Sequence, residues 1–404
     1  MPKILKSLTN QILLATILGI ILGLIFHEQI VFLKVVGDVF LRLIQMSVVI
    51  LIMGAVVEAV GSLDPKTLGG IGLKVMLWFI GSTILAAGIG VGMGLLVKPG
   101  ADVVIANLDV EQITYNSSGS LSEIILEFFP SNIIESMANA NMIQVIVFAL
   151  LFGLALSLTA KKKSQSVLEF VVSFNHVILK MVTLVMKLAP IGIFCLVAPM
   201  IGTVGVEVLL TLTKFLLTLG IASILFLMLW LLLTAVYCRI PFFSLCKKMW
   251  RMSVVAFTTT SSAVTLPIQL EDSEEKLGIS NRISKLVLPL GMTLNSNGLA
   301  LFLSIAIITF AQFYGINLAL PNLIQVVILS TLACLGTVVV PGGGLVALAT
   351  VMPMIGLPTE SIAILAGIDW FSGMFRTLLN VDADTTVALI IAKDEGELDY
   401  SKYK

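Results

Sequence analysis

Residues 288–302 read LPLGMTLNSNGLALF: apolar at both ends, with Thr293, Asn295, Ser296 and Asn297 set between Gly291 and Gly298. A water-exposed helix carries such a centre without consequence, whereas in hydrocarbon every polar group needs an internal partner. Composition decides which case applies. The chain is 58% hydrophobic and 12% charged, with a mean hydropathy of +1.08; soluble domains run at about 45–50% apolar and about 25% charged. A span takes about 20 residues to cross a ~30 Å core, so 404 residues hold about eight spans and no separate soluble domain. The chain therefore reads as an all-α polytopic membrane protein.

The spans fall at about 10–27, 31–61, 70–98, 131–159, 166–200 and 206–238. The amino-terminal run is too long for a signal-peptide core and no small-residue cleavage site follows, so it reads as the first span. With the termini cytoplasmic, Lys3, Lys6, Lys66, Lys161, Lys162, Lys163, Arg239, Lys247, Lys248, Arg251 and Lys393 all fall inside, and Lys34 and Lys98 are exceptions. The loop from Gly100 to Pro130 has no Lys or Arg but several acids, as an outer loop should. Net charge is zero and gives no sign of nucleic acid as a partner. Cys195, Cys238, Cys246 and Cys334 show no CxxC spacing, and His27 and His176 are too few for a metal cluster.

The second half breaks the pattern. Between Ile240 and Leu277 the apolar run is cut by FTTTSSAVTLP (257–267), and between Leu320 and Leu357 by GTVVVPGGGL (336–345). About ten apolar residues on either side of a break suit a hairpin that enters the membrane and returns, and exposed backbone at that depth is tolerated only against protein or a water-filled cavity. Each hairpin precedes a helix with a polar centre, 280–313 and 359–392, and the charge count makes the two units inverted. Two re-entrant hairpins in inverted repeats are the signature of a secondary transporter with its site near the midplane.

The last helix, GIDWFSGMFRTLLNVDADTTVALIIAK (367–393), places Asp369, Gly373, Arg376, Asn380 and Asp384 four, three, four and four residues apart, hence on one face, flanked by Thr377. Each intramembrane charge costs about 2.5–3.5 kcal/mol on insertion scales. An internal ion pair accounts for one Asp with the Arg and leaves the second Asp, the Asn and the broken segments unexplained. A guanidinium fork matches a carboxylate, while Asp384 with amide oxygens suits a hard cation. The half-helix amino termini at Ser261–Ser262 and Gly342–Gly344 suit carboxylate oxygens, and the carbonyls of GMTLN suit sodium. An intramembrane aspartyl protease is excluded, because Asp369 and Asp384 lie about four turns apart on one helix and cannot share a proton. An anion channel or a non-transporting sensor remains as an alternative.

In these segments, and in MANANMIQVIVFALLFGLAL (137–156) and KLAPIGIFCLVAP (187–199), the chain resembles the glutamate transporter family, the dicarboxylate/amino acid:cation symporters, over nearly its whole length. The resemblance implies a non-enzymatic, sodium- or proton-coupled symporter of small acidic substrates in the cell membrane, with eight spans and two hairpins. It implies a homotrimer whose scaffold is 1–64 and 131–203 and whose transport domain, 70–98 and 206–404, moves as an elevator. Residue by residue it implies substrate contacts at Ser261, Ser262, Val340, Gly344, Arg376, Thr377 and Asn380. Gly291, Asn295, Asn380 and Asp384 match one sodium site, and main-chain oxygens of Thr293, Cys334, Leu335 and Thr337 a second. Ser82, Thr83, Asn295 and Asn297 match a third.

The departures carry information too. Against the family's Asn-Met-Asp-Gly-Thr, this chain has Asn295-Ser296-Asn297-Gly298-Leu299. Asn297 removes a negative charge from the third site, Ser296 changes a side chain linking hairpin and ion sites, and Leu299 replaces a substrate-contacting Thr. Gly373 stands where the family's amine-binding Asp would be, while Arg376 is kept, and Asp369, like Ser296, is expected behind the residues that touch substrate and ions. Electrostatics then favours a C4 dicarboxylate, with acidic or neutral amino acids as the alternative.

Overall fold

The computed structural model describes residues 8–62, 68–101, 129–139, 142–204, 207–334, 343–359 and 362–403, and every named element in them is helical. Among the described residues, four stretches are long and apolar enough to cross a membrane by length and composition: Leu14–Phe40, Gly70–Val97, Leu210–Cys238 and Asn281–Phe313. The outer surface agrees with a lipid environment. On the helix α8 (Glu207–Cys238), Leu217, Ile221, Ile224, Met228, Leu232 and Val236 are exposed at helical spacing, an apolar stripe that water would penalise and lipid accepts.

One packed group consists of α1 (Leu8–Phe26), α2 (Lys34–Gly61), α5 (Met142–Leu158), α6 (Lys161–Met186) and α7 (Ala189–Val204), with the short α4 (Ile133–Ala138) against α5. Glycines make the close approaches: a Cβ at Gly23 would lie 2.6 Å from the Ala198 carbonyl oxygen of α7. The second group is built on α3 (Leu73–Val97), α8, α9 (Phe242–Thr259), α10 (Ser262–Glu275), α11 (Asn281–Leu294), α12 (Asn297–Phe313), α13 (Leu320–Cys334), α14 (Gly343–Val351) and α16 (Asp369–Asp394). The short α15 (Ile362–Ala366) packs on α7 and α14, and α14 also meets α2.

Four expected continuous stretches are interrupted: 131–159 holds α4 and α5, 280–313 holds α11 and α12, and two more breaks fall at 166–200 and 359–392. The span expected at 166–200 is α6 and α7, separated at Lys187–Leu188, where 3-10-type bonds to the Leu184 and Val185 carbonyls close α6. Pro190 lacks an N–H and sits in the first turn of the new helix, where that N–H would have no intrahelical partner. The helix expected at 359–392 is α15 and α16, parted at Gly367–Ile368; there a Cβ on residue 367 would lie 2.8 Å from Thr16 Cγ2 of α1.

The breaks that position the site follow from local chemistry. Thr260 ends α9 in the left-handed region (φ 52°), Ser261 is extended, and Ser261 Oγ accepts from the Val264 N–H to cap α10. Likewise α11 stops where Asn295 turns extended (φ −120°, ψ 116°), and α12 restarts two residues later. This is the stretch with the polar centre, and its second half, α12, is buried along nearly its whole length. The other break, at 335–342, lies outside the described residues.

Candidate functional site

The interrupted segments meet on the polar face of α16. In its first two turns Arg376 Nη2 donates to Asp369 Oδ1 at 2.7 Å and to the Asp369 carbonyl at 3.1 Å. The guanidinium carbon lies 4.8 Å over the centroid of the Phe302 ring, so the cation is held by a carboxylate and by an aromatic face. Nη1 reaches Gly344 of α14 so closely that a Cβ there would overlap it, and Nε is buried without a partner. The guanidinium thus retains donor capacity for an oxygen ligand beyond its bond to Asp369.

Across the same region, the tip between α9 and α10 approaches α16. A Cβ on Gly373 would sit 3.5 Å from Arg376 Nη2 and 4.0 Å from Thr260 Cβ, so position 373 has room beside the guanidinium. Asn380, one turn further, accepts the Gly298 N–H at 2.9 Å and satisfies an otherwise orphaned donor in the first turn of α12. Gly298 is required there, because a Cβ would overlap the Arg376 backbone. Thr377, Ser262 and Leu299 are buried. Ser261 is occupied as a helix cap.

One turn beyond Asn380, Asp384 is 1% exposed and accepts from Asn295 Nδ2 at 2.7 Å. Gly291 lets the last turn of α11 lie on the carboxylate; a Cβ would overlap Asp384 Cγ. Asn295 Oδ1 accepts from Thr83 Oγ1 at 3.2 Å, while Asn297 lies 3.1 Å from Ser82 Oγ and 2.8 Å from Thr83 Oγ1. No Lys or Arg pairs with Asp384 among the described residues. A buried carboxylate without a cation is strongly disfavoured, so this one calls for a bound cation or a proton. Among the described residues no three of His, Cys, Asp or Glu gather. The donors available are one carboxylate, amides, hydroxyls and the carbonyls left by the end of α11, a set that suits a hard monovalent ion rather than a transition metal.

The expected residues therefore form two neighbouring clusters. Asp369, Gly373, Arg376 and Gly344 make one. Ser82, Thr83, Gly291, Asn295, Asn297 and Asp384 make the other, with Asn380 between them on α16. Thr293 differs: its side chain is exposed and donates back to the Leu290 carbonyl, so only its main chain is available to a site. Ser296 is buried and makes no capping hydrogen bond. Cys334 closes α13, while Leu335, Thr337 and Val340 lie outside the described residues.

Two further side chains belong to the region without having stood out in the sequence. Phe302 beneath Arg376 lies one turn after Gly298, a spacing that hints at a shared face. Asp382 is 3% exposed and accepts from Ser253 Oγ of α9, at 2.8 and 3.0 Å to its two oxygens. Its charge type alone was the available signal; two residues from Asp384, it points to the opposite side of α16.

A family profile described as "Sodium:dicarboxylate symporter family" matches residues 8–394. The chain belongs to this family. Among related proteins, the proton/glutamate-aspartate symporter of Bacillus subtilis (strain 168) is 34% identical over 96% of this chain and 95% of its own length. The C4-dicarboxylate transport protein of Anaeromyxobacter sp. (strain K) is 30% identical over 100% and 93%. The proton/glutamate-aspartate symporter of Escherichia coli (strain K12) is 32% identical over 100% and 96%. These relatives of the sodium:dicarboxylate symporter family are transporters, and the resemblance noted in the sequence is confirmed at the level of the family.

Proposed function

We propose that the protein is a secondary active transporter of the plasma membrane that carries a small acidic substrate together with sodium. The observation that carries this reading is the pairing of two unlike clusters on one buried helix: a guanidinium with unused donor capacity, and, two turns on, a carboxylate with no cationic partner among the described residues. The first suits a substrate carboxylate and the second a coupling ion. Relatives named for C4 dicarboxylates and for glutamate and aspartate bracket the substrate class. Gly373 offers no carboxylate to a substrate amine and the one at hand, Asp369, is engaged by Arg376, so succinate-like dicarboxylates fit better than amino acids.

Substrate binding follows from the geometry. Arg376 keeps its bond with Asp369 and offers its unused N–H groups to the ligand carboxylate, Gly344 lets the α14 backbone close over it, and Asn380 ties the α12 start to the same helix turn. A cation at Asp384 neutralises the carboxylate and orders Asn295, so ion and substrate would each improve the other's binding. The α9–α10 and α13–α14 pairs serve as the two re-entrant hairpins. The second packed group acts as the transport domain, and the first as the scaffold of a homotrimer past which it slides. Eight spans and cytoplasmic termini complete the arrangement. The grouping of helix contacts and the positive-inside count support this assignment.

The direct check is binding to purified protein. Succinate and aspartate affinities measured in sodium and in choline should differ by tenfold or more, and equal affinities would remove sodium as the coupled ion. A second reading, proton coupling, is favoured by one observation: Asp382 and Asp384 are both buried, without basic partners among the described residues. It predicts affinity that depends on pH and is indifferent to sodium.

A further inference from the structure

Ser82, Thr83 and Asn297 form a buried oxygen-rich cluster whose hydrogen bonds can be counted. Ser82 Oγ lies 2.9 Å from the Phe79 carbonyl and 3.1 Å from the Asn297 amide. Thr83 Oγ1 lies 2.8 Å from the same carbonyl, 2.8 Å from the Asn297 amide and 3.2 Å from Asn295 Oδ1. Two hydroxyls supply two protons for these contacts. With Asn297 Oδ1 facing the hydroxyls, the protons are over-subscribed, and Asn297 Nδ2 is buried with no acceptor at a fully enclosed position.

A half-turn of the amide exchanges its ends. Nδ2 then donates one N–H to Ser82 Oγ and one to Thr83 Oγ1, the Ser82 proton goes to the Phe79 carbonyl, the Thr83 proton is shared between that carbonyl and Asn295 Oδ1, and every donor in the cluster is used. The end left over is a carbonyl oxygen, which tolerates an open lone pair better than an N–H tolerates isolation. In this arrangement an electropositive NH2 group stands between the hydroxyl oxygens that would otherwise gather around a cation.

We infer that the Asn297 amide is a built-in, neutral substitute for a cation at Ser82 and Thr83, and that it lowers the number of ions carried with each substrate by one relative to a carboxylate at this position. The inference rests on the proposed sodium coupling for its consequence, though not for its geometry. Asn297→Asp reverses it: a carboxylate cannot donate to the hydroxyls, adds a negative charge, and turns the same oxygens into a sodium site.

The test measures sodium ions per succinate, from the membrane potential at which net flux reverses in proteoliposomes, for the wild type, Asn297→Asp and Ser82→Ala. Asn297→Asp should gain one sodium per substrate, and Ser82→Ala should keep the wild-type number whatever its rate. An unchanged number in Asn297→Asp that still binds succinate, or the loss of one sodium in Ser82→Ala, overturns the inference. If Asn297→Asp does not fold, the Ser82→Ala count decides. If wild-type flux ignores sodium, the proposed coupling fails separately; thermal unfolding of Asn297→Asp in sodium against choline then decides, with a sodium-specific rise in Tm expected and its absence contradicting.

Discussion

Asn295 and Asp384, 89 residues apart in the chain, meet as amide donor and carboxylate acceptor at 2.7 Å. That bond joins the interrupted α11–α12 segment to α16 at the point where a buried carboxylate has no cationic neighbour among the described residues. Asp384→Asn removes the charge and keeps the shape. It should raise the sodium concentration for half-maximal succinate binding at least tenfold, about 1.4 kcal/mol, measured by titration of purified protein. An unchanged sodium dependence would place the coupling ion elsewhere.

Arg376 is held by Asp369 on one side and the Phe302 ring beneath. Arg376→Lys keeps the positive charge and loses the planar fork and its stacking. Succinate affinity should fall by about 10²-fold, the scale of two charge-assisted hydrogen bonds. Gly344→Ala should have a similar effect for a steric reason, because its methyl group would occupy the place of Nη1. Competition assays with labelled succinate check both.

Gly373 sits beside the same guanidinium with space for a side chain. Gly373→Asp introduces a carboxylate there, which competes with a dicarboxylate for Arg376 and offers a partner to a substrate ammonium. The ratio of aspartate to succinate affinity should rise at least tenfold. A ratio that does not move would show that another group decides between the two substrate types.

Much of this site was legible in the sequence because its geometry is local to one helix. The four- and three-residue spacing from Asp369 to Asp384 put those groups on one face without reference to any other element. The polar centre at 293–297 likewise pointed to groups facing a site, although 280–313 read as one helix and its break at Asn295–Ser296 came only from the structure. What was not legible depends on packing between distant segments. Phe302 under Arg376, Ser253 against Asp382 and the Thr83 bridge between Asn295 and Asn297 each join helices whose approach no spacing rule gives. The interruption at Lys187–Leu188 had its signals in Lys187 and Pro190, which were outweighed by the apolar residues on either side.

The carboxyl-terminal segment after α16 folds back over the α10–α11 connection. The Asp399 N–H donates to the Gly278 carbonyl at 2.8 Å, Ser280 Oγ donates to Glu397, and Tyr403 Oη donates to the Leu277 carbonyl at 3.1 Å. Burial pushes the Tyr403 phenol up, which keeps it a neutral donor. Gly278 has φ +73°, and a Cβ there would lie 2.6 Å from the Asp399 carbonyl oxygen. Gly278→Ala should therefore destabilise the fold by about 1–3 kcal/mol, the usual cost of such a strained backbone. The readout is a lower Tm in detergent, with substrate affinity little changed in the protein that remains folded.

The most direct measurement of sodium-coupled acidic substrate transport is uptake of labelled succinate, aspartate and glutamate into proteoliposomes, with and without an inward sodium gradient. Concentrative, sodium-driven succinate uptake exceeding that of either amino acid is the predicted result. Succinate entry that only equilibrates, or that follows a proton gradient with no response to sodium, would contradict it.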